Sequence, residues 1–210
     1  MELNSSKKGT LVIISGFSGA GKGTVVNELI KKDNFSLSIS ATTRAPREGD
    51  VDGVSYFFKT KEEFEKMIEE DALIEYASYV GNYYGTPKAY VLEQLDKGNN
   101  VILEIEMQGA MKIKEKFPDA ITVFITPQSF NELERRLRKR GTETEDKIKD
   151  RLNRAKEECS FMGKYDYIVI NEKLEKCVED VYNIIYAQSF RKDKSLELIE
   201  CITNDFNSVK

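Results

Sequence analysis

The sequence contains no histidine among its 210 residues, and it has only four prolines and three cysteines. The absence of histidine excludes histidine-based catalytic triads, histidine metal sites and imidazole general bases. Phosphoryl transfer stays open, because positioning and charge neutralisation do most of the catalysis in that reaction. The cysteines, Cys159, Cys177 and Cys201, are far apart and form no CxxC or metal-ligand spacing, which predicts free thiols in a reducing compartment.

The chain also lacks an apolar run long enough to span a bilayer, and its polar first segment, Met1–Lys8, has no signal-peptide pattern. Its net charge of −4 argues against a general nucleic-acid-binding surface, although local basic clusters can still bind small anions. The length suits one domain with small inserts. We therefore expect a cytoplasmic protein without nucleic-acid or membrane partners; the sequence does not indicate an oligomeric state.

The first motif is a glycine-rich segment between the apolar run Leu11–Ile14 and the helical pattern Val25–Ile30. The segment consists of Gly16, Phe17, Ser18, Gly19, Ala20, Gly21, Lys22, Gly23 and Thr24. Glycines let backbone N–H groups turn inward around a phosphate, and the helix N-terminus adds its positive dipole end. Lys22 can reach the outer phosphates of a nucleotide. The spacing matches the pattern GxxxxGK, except that Gly23 stands where a serine or threonine is expected and the hydroxyl follows at Thr24.

Residues 35–98 interrupt the simple alternation of strand and helix and predict an inserted subdomain of small strands and short helices. We predict its strands at Phe35–Ser40, Val54–Phe58 and Leu73–Ala77. Thr60 and Glu63 have the spacing of a capping box and predict the start of a helix. The segment Gly81–Pro87 is predicted to be two turns around a pair of aromatic residues, with Thr86 as the cap of the helix that follows.

Regular alternation resumes after the insert. We predict the further strands at Val101–Glu106, Ile121–Ile125 and Tyr165–Ile170. Glu104 and Glu106 are two residues apart and are predicted to lie on one face of an extended strand. Ser129 and Glu132 predict a second capping box, and an apolar stripe over residues 174–185 predicts a closing helix that packs on the core.

The basic run Arg135–Arg140, followed by Gly141, has two readings. On composition alone a solvated helix face is favoured, whereas beside a phosphate loop a glycine-hinged arginine segment favours a mobile lid. The whole pattern predicts an α/β fold with a parallel core sheet and helices on both faces. We divide the chain into a core (1–34 and 99–190), an insert (35–98), a lid (about 138–158) and a tail (191–210).

From about Gly9 to about Tyr186 the chain resembles bacterial-type guanylate kinases. The resemblance rests on the glycine-rich segment together with Ser40–Arg47, Gly81–Thr86 and Arg140–Glu145. The second and third of these motifs are specific to that family among nucleoside monophosphate kinases. The resemblance implies a P-loop kinase fold and transfer of the terminal phosphoryl group of ATP to GMP, with Mg²⁺ bound alongside ATP. It implies ATP and GMP as small-molecule partners. We expect dGMP as a further acceptor, because no residue is assigned to the ribose 2′-hydroxyl.

For the acceptor nucleotide, the resemblance implies that the insert binds GMP. Arg44 and Arg47 would bind its phosphate with the hydroxyls of Tyr56 and Tyr84. Glu75 would accept hydrogen bonds from N1–H and the 2-amino group of guanine together, a pair of donors that adenine does not present. Base recognition would be completed by Ser40, Thr86 and Glu106.

For the donor nucleotide, the resemblance implies that the loop Gly16–Thr24 and Lys22 bind the ATP phosphates and that Asn171 lies near the adenine. The lid arginines Arg136, Arg140 and Arg151 would close over the transferring group. Magnesium would bridge the phosphates and keep most of its waters. Because Gly23 lacks a hydroxyl, no direct metal ligand is expected; Thr24 would meet a phosphate, and Glu104 would contact the metal through water.

Two other functions are compatible with parts of this pattern. Guanylate-kinase-like domains of scaffold proteins bind phosphorylated peptides without catalysis, but they tend to lack the loop lysine and the lid arginines, and Lys22, Arg140 and Arg151 are present here. A monophosphate kinase for AMP or a pyrimidine nucleotide would fit Gly23–Thr24, whereas Glu75 and the segment around Tyr84 favour guanine.

Overall fold

A computed structural model describes residues 8–79, 81–139 and 144–208. In these ranges the strands are β1 (Leu11–Gly16), β2 (Phe35–Leu37), β3 (Ala41–Thr42), β4 (Phe57–Phe58), β5 (Leu73–Tyr79), β6 (Asn82–Pro87), β7 (Asn100–Glu104), β8 (Ile121–Thr126) and β9 (Tyr167–Ile170). The α-helices are α1 (Lys22–Leu29), α2 (Lys61–Glu69), α3 (Lys88–Asp96), α4 (Met107–Lys116), α5 (Phe130–Lys139), α6 (Glu145–Cys159), α7 (Leu174–Ala187) and α8 (Leu196–Ser208). None of these helices is both long enough and apolar enough to cross a membrane.

The main sheet has the order β2-β7-β1-β8-β9, with every neighbouring pair parallel. Its central strands β1 and β8 are almost wholly buried and apolar, as expected for strands covered on both faces. Because crossovers between parallel strands are right-handed, α1 lies on one face and α4 on the other. Helix α7 packs beside α1. The predicted α/β class is therefore confirmed.

A second sheet, in the order β4-β3-β6-β5, lies beyond the main sheet and has a small core of its own. Phe64 of α2 is fully buried there and stacks on Tyr83 with ring centroids 5.2 Å apart. The capping box of Thr60 and Glu63 at the start of α2 is confirmed.

The expected limits of the insert, residues 35 and 98, need correction at both ends. Strand β2 belongs to the main sheet, and α3 buries Val91 and Leu95 in the main core. The second sheet itself runs from Ala41 to Pro87. Hydroxyl–apolar alternation around residue 35 indicates a strand, but it does not indicate the sheet that the strand joins.

Two local predictions in this region were wrong. Residues 82–87 form strand β6 rather than turns, because Gly85 allows close pairing: a Cβ on this residue would lie 2.9 Å from the backbone oxygen of Glu75. Thr86 does not cap α3, whose N-cap is Pro87.

Two predictions after the insert also change. Strand β7 ends at Glu104, and Glu106 is the N-cap of α4, so the two carboxylates do not share one strand face. Ser129 accepts a hydrogen bond from the Glu132 N–H, but the Glu132 carboxylate accepts from Arg135 and Arg136 rather than completing a capping box.

Candidate active site

The glycine-rich loop joins the carboxyl end of β1 to the first turn of α1. Gly16 and Gly21 have φ angles of 152° and 91°, which side chains rarely allow. A Cβ on Gly16 would lie 2.0 Å from the carbonyl oxygen of Ile125, and one on Gly21 would lie 2.5 Å from Nδ2 of Asn171. The backbone therefore curls tightly around the helix N-terminus, as an anion-binding loop requires.

Lys22 extends into this loop. Its Nζ donates hydrogen bonds to the carbonyl oxygens of Gly16 at 2.7 Å and Phe17 at 3.2 Å. Nη1 of Arg151, on α6, donates to Oγ of Ser18 at 2.9 Å. Two cations from different helices thus reach the same nine-residue loop, which provides positive charge for a polyphosphate.

Arg136 and Asn171 hold the loop from the other side. The Asn171 side chain is 7% exposed, and its Nδ2 donates to the carbonyl oxygen of Ala20 at 2.8 Å. Nη2 of Arg136 donates to the carbonyl oxygen of Asn171 at 2.6 Å, and its Nε donates to Glu132 at 2.7 Å. The loop, the end of β9 and helix α5 are therefore linked. Arg140, the third predicted lid arginine, lies outside the described residues.

Hydrogen bonds from Arg135 and Arg136 lower the pKa of Glu132 to about 2. Glu132 therefore stays ionised at any ordinary pH. Its carboxylate holds the Arg136 guanidinium against the loop. The spacing of Ser129 and Glu132 predicts a capping box and does not indicate this positioning role.

Next to the loop, a cavity of about 190 Å³ opens at the carboxyl end of β7. Its polar wall is formed by the hydroxyls of Ser38, Ser40, Ser55, Tyr56 and Thr86 and by the carboxylate of Glu104. Oε2 of Glu104 also lies 3.6 Å from the point that a Cβ on Gly23 would occupy. Glu104 therefore borders both the phosphate loop and the cavity.

One end of the site contains a half-buried carboxylate, that of Glu75. Thr86 Oγ1 donates to Oε1 of Glu75 at 2.8 Å, so the Thr86 hydroxyl serves this carboxylate rather than a helix. Burial raises the pKa of Glu75 above its usual value, against the lowering effect of the Thr86 hydrogen bond. Gly109 of α4 leaves room beside the carboxylate, since a Cβ there would already lie 3.7 Å from Oε2.

The other end combines an arginine with aromatic rings. The guanidinium of Arg44 lies 5.2 Å from the centre of the Tyr56 ring, which meets the Tyr84 ring at 6.1 Å. Nη2 of Arg44 donates to Oδ2 of Asp50 at 2.8 Å, and the same oxygen accepts the backbone N–H of Arg47 at 2.8 Å. Asp50 is not among the predicted site residues, although an acid three residues after an arginine in a Pro- and Gly-containing loop is a signal for such a turn.

Glu106 points towards helix α6. Its carboxylate accepts a hydrogen bond from Nη2 of Arg154, and Nε of Arg154 donates to Glu158 at 3.1 Å. The structure therefore links the carboxylate predicted to contact guanine with α6 through Arg154, a residue for which the sequence predicts no role.

A larger cavity of about 850 Å³ lies at the opposite end of the main sheet, next to the amino ends of β1 and β8. It is bordered by Leu11 at the start of β1, by Ala120 before β8 and by Leu196 of α8. None of the predicted site residues lines it, and ligands of open parallel sheets bind at the carboxyl ends of the strands. We therefore place the candidate active site at the smaller cavity and the phosphate loop.

Comparison with known proteins decides the family. The family model described as guanylate kinase matches residues 8–188. The chain belongs to the guanylate kinase family.

Curated guanylate kinases match the sequence of this chain over most of their length. The guanylate kinase of Caldanaerobacter subterraneus subsp. tengcongensis is 51% identical over 197 residues, which cover 93% of this chain and 96% of the relative. The guanylate kinase of Halalkalibacterium halodurans is 52% identical over 192 residues, or 91% of this chain and 94% of the relative.

A solved structure supports the same family. The crystal structure of guanylate kinase from Anaplasma phagocytophilum superposes with a TM-score of 0.71 at 32% identity, covering 92% of this chain and 94% of that one. All the predicted site residues lie inside the range that the guanylate kinase family model matches, whereas α8 lies outside it.

Proposed function

We propose that this chain transfers the terminal phosphoryl group of ATP to GMP, giving ADP and GDP. The observation that carries the proposal is the position of Glu104, which lies beside Gly23 of the phosphate loop and also in the wall of the hydroxyl-lined cavity. A donor site and an acceptor site that share a boundary can bring two phosphate groups together, and positioning is the main requirement of phosphoryl transfer.

Glu75 gives the acceptor site its preference for guanine. When ionised, its carboxylate can accept N1–H and the 2-amino group together, while Thr86 holds it in place through the 2.8 Å hydrogen bond. An acceptor without these donors would leave this half-buried carboxylate without its partners on the base, which costs far more than a lost apolar contact. Ser40 and Glu106 would complete the contacts with the base. dGMP would be accepted as well as GMP.

Charge is provided separately for each phosphate. Arg44 and Arg47, with the hydroxyls of Tyr56 and Tyr84, would bind the GMP phosphate. Asp50 holds the guanidinium of Arg44 and the backbone N–H of Arg47. The transferring group would meet Lys22 and the lid arginines Arg136, Arg140 and Arg151, which spread the charge that develops during transfer. The backbone of Gly16–Thr24 would bind the remaining ATP phosphates, and Asn171 would border the adenine.

The loop residues fit a magnesium ion that is bound mainly by ATP. Mg²⁺ prefers oxygen ligands and usually combines one or two carboxylates with substrate phosphates and waters. The Glu104 carboxylate is the acidic group beside the loop at Gly23, and Thr24 would bind a phosphate. When bound, the ion neutralises phosphate charge and orients the terminal group.

The second sheet and the helix pair α5–α6 would act as moving parts. Contacts of Arg151 with Ser18 and of Arg154 with Glu106 already join α6 to both halves of the site. Inward movement of the second sheet and of this lid would exclude the water that otherwise hydrolyses ATP.

The test is an acceptor screen with the purified chain, ATP and magnesium, in which ADP release is followed with GMP, dGMP, AMP, CMP or UMP. We expect rapid ADP release with GMP and dGMP and little with the other three. Faster turnover with AMP or UMP than with GMP would overturn the base assignment. No turnover with any acceptor would favour a binding module without catalysis.

A further inference from the structure

Gly23 is the one glycine of the loop whose presence the backbone does not explain. Gly16, Gly19 and Gly21 have positive φ angles, but Gly23 lies within helix α1, where glycine is unfavourable relative to serine. A Cβ at this position would meet only the Glu104 carboxylate, at 3.6 Å from Oε2 and 3.8 Å from Oε1. These are ordinary contact distances, so a side chain could start here without strain.

The Glu104 carboxylate faces this position with both oxygens. In the part of the chain that the structure describes it has no ion pair or hydrogen bond, and the residue is exposed at the end of β7. By contrast, the neighbouring carboxylate of Glu106 accepts a hydrogen bond from Arg154. Glu104 is therefore an uncommitted carboxylate held beside the phosphate loop, where an unpaired negative charge favours a cation.

The side-chain lengths at positions 23 and 104 are related. A serine at position 23 would place its hydroxyl in the space that the Glu104 carboxylate now borders. An aspartate at position 104 would be shorter by one carbon–carbon bond, about 1.5 Å, and would withdraw from that space. Serine with aspartate and glycine with glutamate would thus each place one oxygen group at the same point, whereas serine with glutamate places two there and glycine with aspartate leaves it empty.

We propose that Glu104 and Gly23 form a compensating pair, in which the longer carboxylate takes over the metal-holding role of the hydroxyl that the loop lacks. The proposal deepens the proposed function and rests on its use of magnesium with ATP. Glu104 acts on the hydrated metal ion and sets its affinity for the ATP complex; it does not bind the acceptor base.

The test measures Mn²⁺ binding to the chain saturated with a non-hydrolysable ATP analogue, without GMP, with free Mn²⁺ quantified by its EPR signal. Four proteins are compared: the wild type, Glu104→Asp, Gly23→Ser and the double variant. We expect Glu104→Asp to weaken Mn²⁺ binding about tenfold, the lower end of the effect of removing an outer-sphere partner of a metal. Gly23→Ser alone should change it by less than about threefold, since its hydroxyl meets the Glu104 carboxylate.

The double variant decides the matter. Recovery to within about threefold of the wild type supports compensation, because two distant and independent substitutions would show additive effects instead. An unchanged affinity in Glu104→Asp, or a double variant no better than Glu104→Asp, overturns the proposal. Glu115→Asp makes the same chemical change at an exposed position of α4 and should leave Mn²⁺ affinity unchanged.

Two controls separate this result from folding and from the proposed function. Affinity for the ATP analogue in EDTA should be the same in all four proteins, so that a change in Mn²⁺ binding is not a loss of the loop. The Mn²⁺ titration contains no GMP, so it does not depend on GMP phosphorylation. A wild type that fails to phosphorylate GMP would contradict only the proposed function. An active wild type whose variants do not show the expected Mn²⁺ affinities would contradict only the compensating pair.

Discussion

The phosphate loop consists of nine consecutive residues that act mainly through their backbone, whereas the predicted acceptor site draws side chains from several separate segments. Glu75 comes from β5, Thr86 from β6 and Glu104 from β7, and Arg44 lies in the loop after β3. The loop is held by glycine geometry and by Asn171, and the predicted acceptor residues are held by pairs such as Glu75–Thr86 and Arg44–Asp50. A change on one side should therefore leave the other side largely intact.

The largest effect is expected on the donor side. Lys22→Ala removes the cation inside the loop and should lower kcat by about 10²–10³-fold, the usual cost of losing one group that stabilises transition-state charge. GMP affinity, measured by titration, should change little. Lys31→Ala is the control, because this lysine pairs with Glu28 on the exposed surface. An equal fall in GMP affinity would mean that the two sites are not separate.

The next effect concerns the acceptor base. Glu75→Gln keeps the shape of the side chain but cannot accept two donors at once, so kcat/KM for GMP should fall about 100-fold, as for the loss of a buried charged partner. The ratio of GMP to AMP turnover should shrink, and the KM for ATP should stay the same. Glu69→Gln, an exposed glutamate of α2, is the matched control. A matching rise in the KM for ATP would show that Glu75 does not act on the acceptor alone.

A smaller effect is expected for the part of the predicted acceptor site that would bind the GMP phosphate. Asp50→Ala removes the oxygen shared by Arg44 and the backbone of Arg47, and should raise the KM for GMP about tenfold, as for one hydrogen bond to a charged group. kcat at saturating GMP should be preserved, because Asp50 positions the arginines without touching the substrate. Glu48→Gln in the same loop should have no effect. A fall in kcat with an unchanged KM would contradict the positioning role.

The smallest effect is on pH dependence. Burial raises the pKa of Glu75, and guanine binding needs the ionised form, so kcat/KM for GMP should fall on acidification with a midpoint above the ordinary glutamate value of 4.5.

The stability contributed by a carboxyl group with a raised pKa is present below the ordinary pKa and is lost as the pH rises through the raised one. Glu75→Gln should therefore melt no lower than the wild type at pH 7. A clearly lower melting temperature of Glu75→Gln at pH 7 would contradict the expectation that ionised Glu75 does not stabilise the fold.

The same contrast explains what the sequence could predict. The phosphate loop is a local motif, so its strand, its turn and its helix were all predicted correctly, as was the capping box of Thr60 and Glu63. The cavity depends on contacts between distant segments. Thr86 looked like a helix cap because its Glu75 partner is 11 residues away in sequence, and Glu106 looked like a strand residue because the end of β7 is set by packing.

Two physical reasons explain why the sequence did not indicate Glu132, Asp50 and Arg154. Glu132 had the spacing of a capping box, but two nearby arginines compete for its carboxylate, and a charge-assisted hydrogen bond is stronger than one to a backbone N–H. Asp50 and Arg154 act on other side chains rather than on a substrate. The roles assigned to individual site residues stay predictions, because they concern contacts with nucleotides.

The central claim is that two separate sites, one for each nucleotide, meet at Glu104. Calorimetric titration of a non-hydrolysable ATP analogue and of GMP into the wild type, Lys22→Ala and Glu75→Gln tests it most directly. The account predicts a crossed result, in which Lys22→Ala loses affinity for the ATP analogue only and Glu75→Gln loses affinity for GMP only. Parallel loss of both affinities in either variant would contradict it.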